Sequence, residues 1–375
     1  MTEGQSQKVK TVFGRIGRFA FASLLAGGLA AVLLIPEVCA ILRTDFGNSD
    51  FPSRLESYFS VFDMLARHCL CVTTERGLEH WPNIYCGVAV FLLVPMYALN
   101  EKISVRKRFC NLALAGFLLL SFGTNVLDFL WHGLNYPDSL PARQSFLYIF
   151  LILVMCYDAF RNVEGTSPRQ IIYGYLAAVV FLLACEKFVE SEDFDTGIEV
   201  LTLVFVTIYG VILYLYRTRK SELTRQVLGI LVLACVVAEL SINTFNTSLG
   251  TTGRSAYLED QEDYKALYAL AQEQEGDDFF RIEKFTRKTK NDGTLTGYPT
   301  ASVFSSTMNS RVMDLYKKLG MRHSKVYYGF DGATAFVSAL LNVDYMFGES
   351  DKYENGLYET CLLYTSPSPR DAHES

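Results

Sequence analysis

Charge is what this sequence has least of. Asp, Glu, Lys and Arg make up 20% of its 375 residues, where an ordinary soluble domain carries about 25%. Half of the residues are hydrophobic and the mean hydropathy is positive, so a wholly soluble protein is a poor fit. A basic excess is lacking too. The net charge is −6, which gives no electrostatic footprint for nucleic acid. Cysteines at metal-ligand spacing are also missing. Of the nine, Cys39, Cys86, Cys110, Cys156, Cys185 and Cys235 sit inside apolar runs, where cysteine acts as a small hydrophobe. Cys69 and Cys71 form a C-x-C in a polar segment, short of the roughly four ligands of a zinc site. A redox role is the weaker alternative there. No metal is expected, and the sequence specifies no cofactor.

What is present is a series of long apolar runs. A hydrocarbon core about 30 Å thick needs roughly 20 apolar residues in a helix. Seven segments approach this: 19–42, 84–99, 109–130, 145–160, 171–188, 198–216 and 227–245. The second and fourth are short, and Pro95 interrupts the second, so either is a thin or tilted crossing. The first has basic residues ahead of it but is longer than a signal core, and more spans follow, so it reads as a retained helix.

Lys8, Lys10, Arg15 and Arg18 precede the first run; Lys102, Arg106, Lys107 and Arg108 lie between the second and third. Arg161 and Arg169 follow the fourth, and Arg217, Arg219, Lys220 and Arg225 follow the sixth. Between the fifth and sixth stand Glu190, Glu192, Asp193 and Asp195. Basic loops favour the cytoplasm. The expectation is an α-helical polytopic membrane protein of about seven spans over residues 1–247. Its N-terminus is then cytoplasmic, and a small α/β domain at 248–360 is extracytoplasmic.

The loop at 43–83 is too long to be a bare connector. Tyr58, Phe59, Val61, Phe62, Met64 and Leu65 alternate with Arg54, Glu56, Asp63 and Arg67, either an amphipathic helix at the interface or one packed on the bundle. The most polar group in the membrane region follows the third run: Asn125, Asp128, Trp131, His132, Asn135, Tyr136, Pro137, Asp138, Pro141 and Arg143. Asn125, Asp128 and His132 share a helical face. An arginine fork suits phosphate or carboxylate oxygens, so one reading is a phosphate or sugar site. The other is an Asp128–Arg143 ion pair that fixes the loop. Glu239, within the seventh run, is a functional group facing the bundle or an acid bonded to a neighbouring helix; its position favours the second.

Beyond residue 250 the patterns predict a helix at 257–274, a strand at 279–285, a turn at 291–293 and a helix at 308–319. A helix at 335–341 and a strand at 343–347 follow. Asn246-Thr247-Ser248 fits a glycosylation sequon, a pattern common by chance. Residues 361–375, with Thr365-Ser-Pro-Ser-Pro-Arg370, lack apolar periodicity and read as an artefactual tail.

Several strings together resemble the bacterial membrane protein YfhO family. In the membrane region they are Leu25-Ala-Gly-Gly-Leu-Ala-Ala-Val-Leu-Leu34, Pro82-Asn-Ile-Tyr-Cys-Gly87, Leu130-Trp-His-Gly133 and Leu140-Pro-Ala-Arg-Gln-Ser-Phe146. In the soluble part they are Phe280-Arg-Ile-Glu283, Asn291-Asp-Gly293, Phe304-Ser-Ser-Thr307 and Tyr328-Gly-Phe-Asp-Gly332. The resemblance implies a GT-C-like glycosyltransferase of the bacterial cell membrane. Such an enzyme moves sugar from a polyprenyl-phosphate donor to a cell-surface polymer such as teichoic acid. Arg143, His132, Asp128 and Asn125 would then line the donor phosphate or sugar site. The outer-loop acid that the resemblance makes catalytic has no counterpart here, so the catalytic residue is unknown and the chain is expected to be an inactive internal fragment. The alternatives are a flippase for lipid-linked sugar, which would place polar groups at the bilayer midplane, and a non-catalytic membrane scaffold. The runs are almost free of ionisable residues at mid-depth, which favours an enzyme working at the interface.

Overall fold

The computed structural model describes residues 3–44, 50–75, 81–136, 142–191, 194–250, 253–348 and 359–362. Side chains are described for these apart from 3–10 and 359–362. The chain forms two compact units: Met1–Ser49 with Gly253–Ser375, and Asp50–Thr252.

Helices α1 (Glu3–Leu29) and α2 (Ala31–Ile41) belong to the first unit and are separated by one residue, Ala30. Phe21, Leu24, Leu29, Val32 and Leu33 are all 70–79% exposed. So much bare apolar helix requires a non-aqueous cover.

The second unit is a helical bundle. It begins with α3 (Val61–Ala66), where Ser60 and Asp63 form a reciprocal capping box that satisfies two otherwise unpaired amides. Asp63 Oδ1 also accepts from the amide of Glu190 at 2.8 Å, and the Phe62 ring stacks on Phe188 at 5.0 Å. Of the two readings for the 54–67 stretch, the structure takes the packed helix: Asp63, Met64 and Ala66 are buried. Then come α4 (Val90–Leu99) and α5 (Val105–Gly123), followed by α6 (Asn125–Trp131) and α7 (Ser145–Arg161). The last three helices are α8 (Pro168–Phe188), α9 (Thr196–Thr218) and α10 (Glu222–Ser248). Ser104, Ser167, Asp195 and Ser221 cap the N-termini of α5, α8, α9 and α10, so turn chemistry sets where each starts.

Short α4 is the hub, packed on α5, α7, α8 and α9. Val90, Leu92, Met96 and Tyr97 are buried in it. His68 closes the core beside it. Its Nδ1 faces the Leu65 carbonyl at 3.0 Å and therefore carries the proton, leaving Nε2 to accept from Tyr148 Oη at 3.0 Å.

The basic turns of this unit gather at one end. Asn100 Nδ2 donates to the Asn162 carbonyl, Lys102 pairs with Glu164, Lys107 with Asp158, and Arg217 Nε donates to the Thr166 carbonyl. The opposite end joins 63–75, the segment after α8 and the close of α10, through Asp63 to Glu190 and Asn243 to Cys71.

Four helical segments are long and apolar enough to cross a membrane: Thr11–Leu29, Pro168–Phe188, Thr196–Thr218 and Glu222–Ser248. By length and composition, helices among the described residues therefore account for four of the expected seven. The run at 84–99 is helical only in α4, whose ten residues reach about 15 Å. The run at 109–130 is divided at Thr124 between α5 and α6. The helix of the fourth run, α7, has 17 residues.

The first unit continues with α11 (Arg254–Leu258), α12 (Gln261–Glu275), β1 (Arg281–Lys284) and α13 (Asp292–Thr296). After them come β2 (Val303–Phe304), α14 (Ser310–Lys318), β3 (His323–Ser324) and β4 (Tyr327–Tyr328). The unit closes with α15 (Ala335–Leu341), β5 (Val343–Gly348) and β6 (Glu359–Leu362). Strands β1, β5 and β6 form a parallel sheet, and β2, β4 and β3 a small antiparallel one. Tyr345 and Phe347 pack towards Tyr264 and Leu267 of α12, while Val343 and Met346 pack towards Tyr316 and Val337. The sheet therefore has two covered faces, as parallel sheets require. The predicted turn at 291–293 is instead the start of α13. Cys361 and Leu362 of the expected tail belong to β6, and 363–375 lie outside the described residues.

Candidate functional site

Thr124 breaks the helix between α5 and α6 by adopting extended backbone (φ −125°, ψ 132°). The break is filled by the segment before α3. Ser57 bridges to Thr124, the Tyr58 amide donates to the Gly123 carbonyl, and the Asn125 amide donates to the Glu56 carbonyl. Asn125 completes this junction with its side chain: Oδ1 accepts from the Glu56 amide at 3.0 Å and Nδ2 donates to the Arg54 carbonyl at 2.8 Å. A two-strand clasp thus satisfies the backbone groups freed by the break.

Asp128 lies one turn on, 2% exposed. Tyr58 Oη donates to its Oδ2 at 3.0 Å. His132, at the end of α6, places Nδ1 3.0 Å from Asp128 Oδ1 and 2.9 Å from the Asp128 carbonyl. Both are acceptors, so Nδ1 carries a proton. The Asp128 carboxylate holds the imidazole above its ordinary value, against burial and against the charge of Arg143. His132 Nε2 is buried and has no hydrogen-bond partner among the described residues. Arg143 is exposed just ahead of α7. Three of the four predicted residues, Asn125, Asp128 and His132, therefore form one bonded group, and Arg143 is near enough to act on His132 electrostatically. Pro137, Asp138 and Pro141 lie outside the described residues.

Chemically, an imidazole pinned at Nδ1 by a buried carboxylate holds Nε2 in one fixed direction, and the carboxylate favours the protonated ring, whose Nε2–H is a donor. With a guanidinium nearby, the group can receive an anionic oxygen. Tyr58 was not foreseen; it lies 70 residues from Asp128, beyond the reach of any spacing rule. Among the described residues, no group of three or more His, Cys, Asp or Glu side chains could hold a metal ion.

A second polar cluster centres on Glu239 of α10, 1% exposed. Tyr85 Oη and the Val88 amide donate to Oε1, and Tyr209 Oη donates to Oε2, each at 2.6 Å. The acid is bonded to its neighbours, as its position suggested.

Several helices long and apolar enough to cross a membrane define the class as a helical membrane protein. A family profile described as bacterial membrane protein YfhO matches residues 2–369, and the chain belongs to that family. No curated protein and no solved structure matches it.

Proposed function

We propose that this chain is the donor-binding part of a membrane glycosyltransferase that uses a polyprenyl-phosphate-linked sugar to modify a cell-surface polymer such as teichoic acid. The observation that carries the reading is the buried Nε2 of His132, without a hydrogen-bond partner among the described residues, oriented by Asp128 and close to Arg143. His132 and Arg143 receive the donor's phosphate. Asp128 and Asn125 act through them, fixing the imidazole and the loop. The basic turns face the cytoplasm, so the N-terminus is cytoplasmic and residues 253–348 are extracytoplasmic, with about seven crossings in all.

The test is binding of a short-chain polyprenyl phosphate to the full chain in lipid nanodiscs. Arg143→Ala and His132→Gln should each weaken it by about tenfold or more, the scale of one charge-assisted bond. Unchanged affinity in both variants would remove the site.

Glu239 favours a second reading, a transporter of lipid-linked sugar, because carboxylates inside membrane helices often mark transport paths. Its saturation by three donors argues for a structural role. Protein-dependent movement of a fluorescent lipid-linked sugar across reconstituted vesicles, abolished by Glu239→Gln, would reverse that preference.

A further inference from the structure

Helices α8 and α9 pack side by side and run in opposite directions. Leu182 and Ile198 share one apolar cluster near one end, and Tyr175 meets Thr207 nearer the other. Thr207 donates its own hydroxyl proton to the Leu203 carbonyl at 2.7 Å, so Tyr175 Oη donates to Thr207 Oγ1 at 3.1 Å. This bond lays the tyrosine ring across α9 at Gly210, where a Cβ would stand 3.4 Å from the ring. From that ring towards the basic end, the two helices line a hollow of about 320 Å³. Ile172 forms part of one wall, and Val211 and Tyr214 part of the other. All three are also exposed, at 44%, 54% and 38%, so the hollow is a groove open along the outside of the bundle.

The chemistry of the groove excludes a polar guest. Its lining contains no Asp, Glu, Lys, Arg or His, and the hydroxyls of Tyr175 and Thr207 are engaged with each other. The walls follow α9 from Thr207 to Leu215, about 12 Å of helix. That volume over that length leaves a section of roughly 27 Å², the girth of one hydrocarbon chain. Helices α8 and α9 are both long and apolar enough to cross a membrane, so lipid chains lie alongside the opening.

The end of the groove is cationic. Arg169 lies three residues before Ile172, on the same side of α8. Arg219 and Lys220 follow the last turn of α9. All three are exposed, and none has a side-chain hydrogen bond or ion pair among the described residues. Arg217 closes the end between them, its guanidinium donating to the carbonyls of Thr166 and Glu164 in the turn before α8. The carboxylates of Glu164 and Asp158 are taken by Lys102 and Lys107. Glu222 belongs to the first turn of α10, where the helix dipole favours it. An apolar slot that ends in cations without partners has the polarity of an anionic lipid, chain inward and head at the basic turns.

We infer that this groove is a binding site for an anionic phospholipid: one acyl chain lies between α8 and α9, and the phosphate head sits against Arg169, Arg219 and Lys220. The bound lipid bridges the two helices at the basic end of the bundle. It is separate from the His132–Arg143 cluster. Arg143 stands just ahead of α7, and α7 ends among the basic turns at Arg161, about 25 Å away along the helix. The site rests on the membrane setting of the chain and not on glycosyl transfer.

The experiment mixes the full chain in mild detergent with phosphatidylglycerol or with phosphatidylcholine of the same acyl chains. Native mass spectrometry reads the lipid retained. Wild type should hold one phosphatidylglycerol per chain, saturably, and about tenfold or more tighter than phosphatidylcholine, as several basic residues at one head group give. Arg169→Gln should weaken phosphatidylglycerol by about fivefold, the scale of one such residue. The triple variant Arg169→Gln, Arg219→Gln, Lys220→Gln should abolish the preference between the two lipids. Ile172→Trp, at an exposed position, fills the groove without entering the core and should remove both lipids. The double variant His132→Gln, Arg143→Ala should retain phosphatidylglycerol as wild type does, which separates this groove from the proposed donor site. Wild type that retains neither lipid or both equally, retention unchanged by Ile172→Trp, loss confined to the double variant, or a dimer that forms in place of lipid binding would each overturn the assignment.

Discussion

Glu239 shows how one buried side chain holds distant segments together. It receives one donor from α9 and two from the segment leading into α4. Gly87, at φ +97°, turns that segment so that the Val88 amide faces the carboxylate. This backbone region favours glycine over residues with a Cβ. Glu239→Ala leaves two hydroxyls and an amide without an acceptor, each costing about 1–3 kcal/mol. Glu239→Gln keeps one acceptor oxygen and should lose much less. Thermal unfolding of the two variants in detergent micelles checks the order; equal losses would show that the hydrogen bonds do not set stability. The first unit has a comparable residue in Asp292, 3% exposed and 3.1 Å from Lys284 Nζ. It also accepts from Thr289 Oγ1 and from the amides of Lys288 and Thr289. Burial works to raise Asp292, but the Thr289 hydroxyl and the Lys284 ammonium hold it below its ordinary value. A carboxyl lowered by folding contributes stability above its unfolded value of 3.8 and loses it as the pH falls through the folded value. Wild-type amides of 281–298 should therefore lose exchange protection on acidification. Asp292→Ala should lower their protection already at neutral pH, by about 3–5 kcal/mol for breaking a buried pair, and show a weaker acid dependence. Hydrogen–deuterium exchange of this segment reads both effects.

Element boundaries were legible where local chemistry sets them and obscure where a distant segment does. The caps at Ser104, Ser167, Asp195 and Ser221 and the turn of Asn342 after α15 (φ +54°) are written within a few residues of the ends they define. The helix at 335–341 and the strand after it accordingly fall where periodicity places them. The division of 109–130 is different. Nothing in that apolar run announces a break, because the groups that make it tolerable, Glu56, Ser57 and Tyr58, lie about 66–70 residues upstream. The shortening of 84–99 has the same cause. Gly87 and Val88 are drawn to Glu239, some 150 residues away, so helix starts only at Val90. In the candidate site, the face shared by Asn125, Asp128 and His132 was visible as spacing, whereas the Tyr58 contact and the burial of Nε2 needed three dimensions.

At the scale of the whole molecule, the governing question is which side of the membrane each end of the bundle faces. The turns carrying Lys102, Lys107, Arg161 and Arg217 belong to one end of the second unit, tied together by Asn100, Asn162 and Thr166. Sequence separates these turns by about 50 residues each, so their convergence is a property of the fold and not of any local pattern. A set of positive turns held at one end acts as a single orienting signal, because cytoplasmic loops carry the Lys and Arg excess. Glu190, at the other end, has the opposite sign. Topology then follows by parity. If α10 begins at the basic end, at Arg225, and runs to Ser248 in one crossing, the chain leaves it on the far side. An epitope inserted after exposed Lys325 should be reached by antibody on intact spheroplasts, and one inserted after Lys220 only after the membrane is permeabilised. The reverse pattern would place residues 253–348 in the cytoplasm, where a lipid-linked sugar presented at the outer leaflet is out of reach, and the glycosyltransferase reading would fail with it.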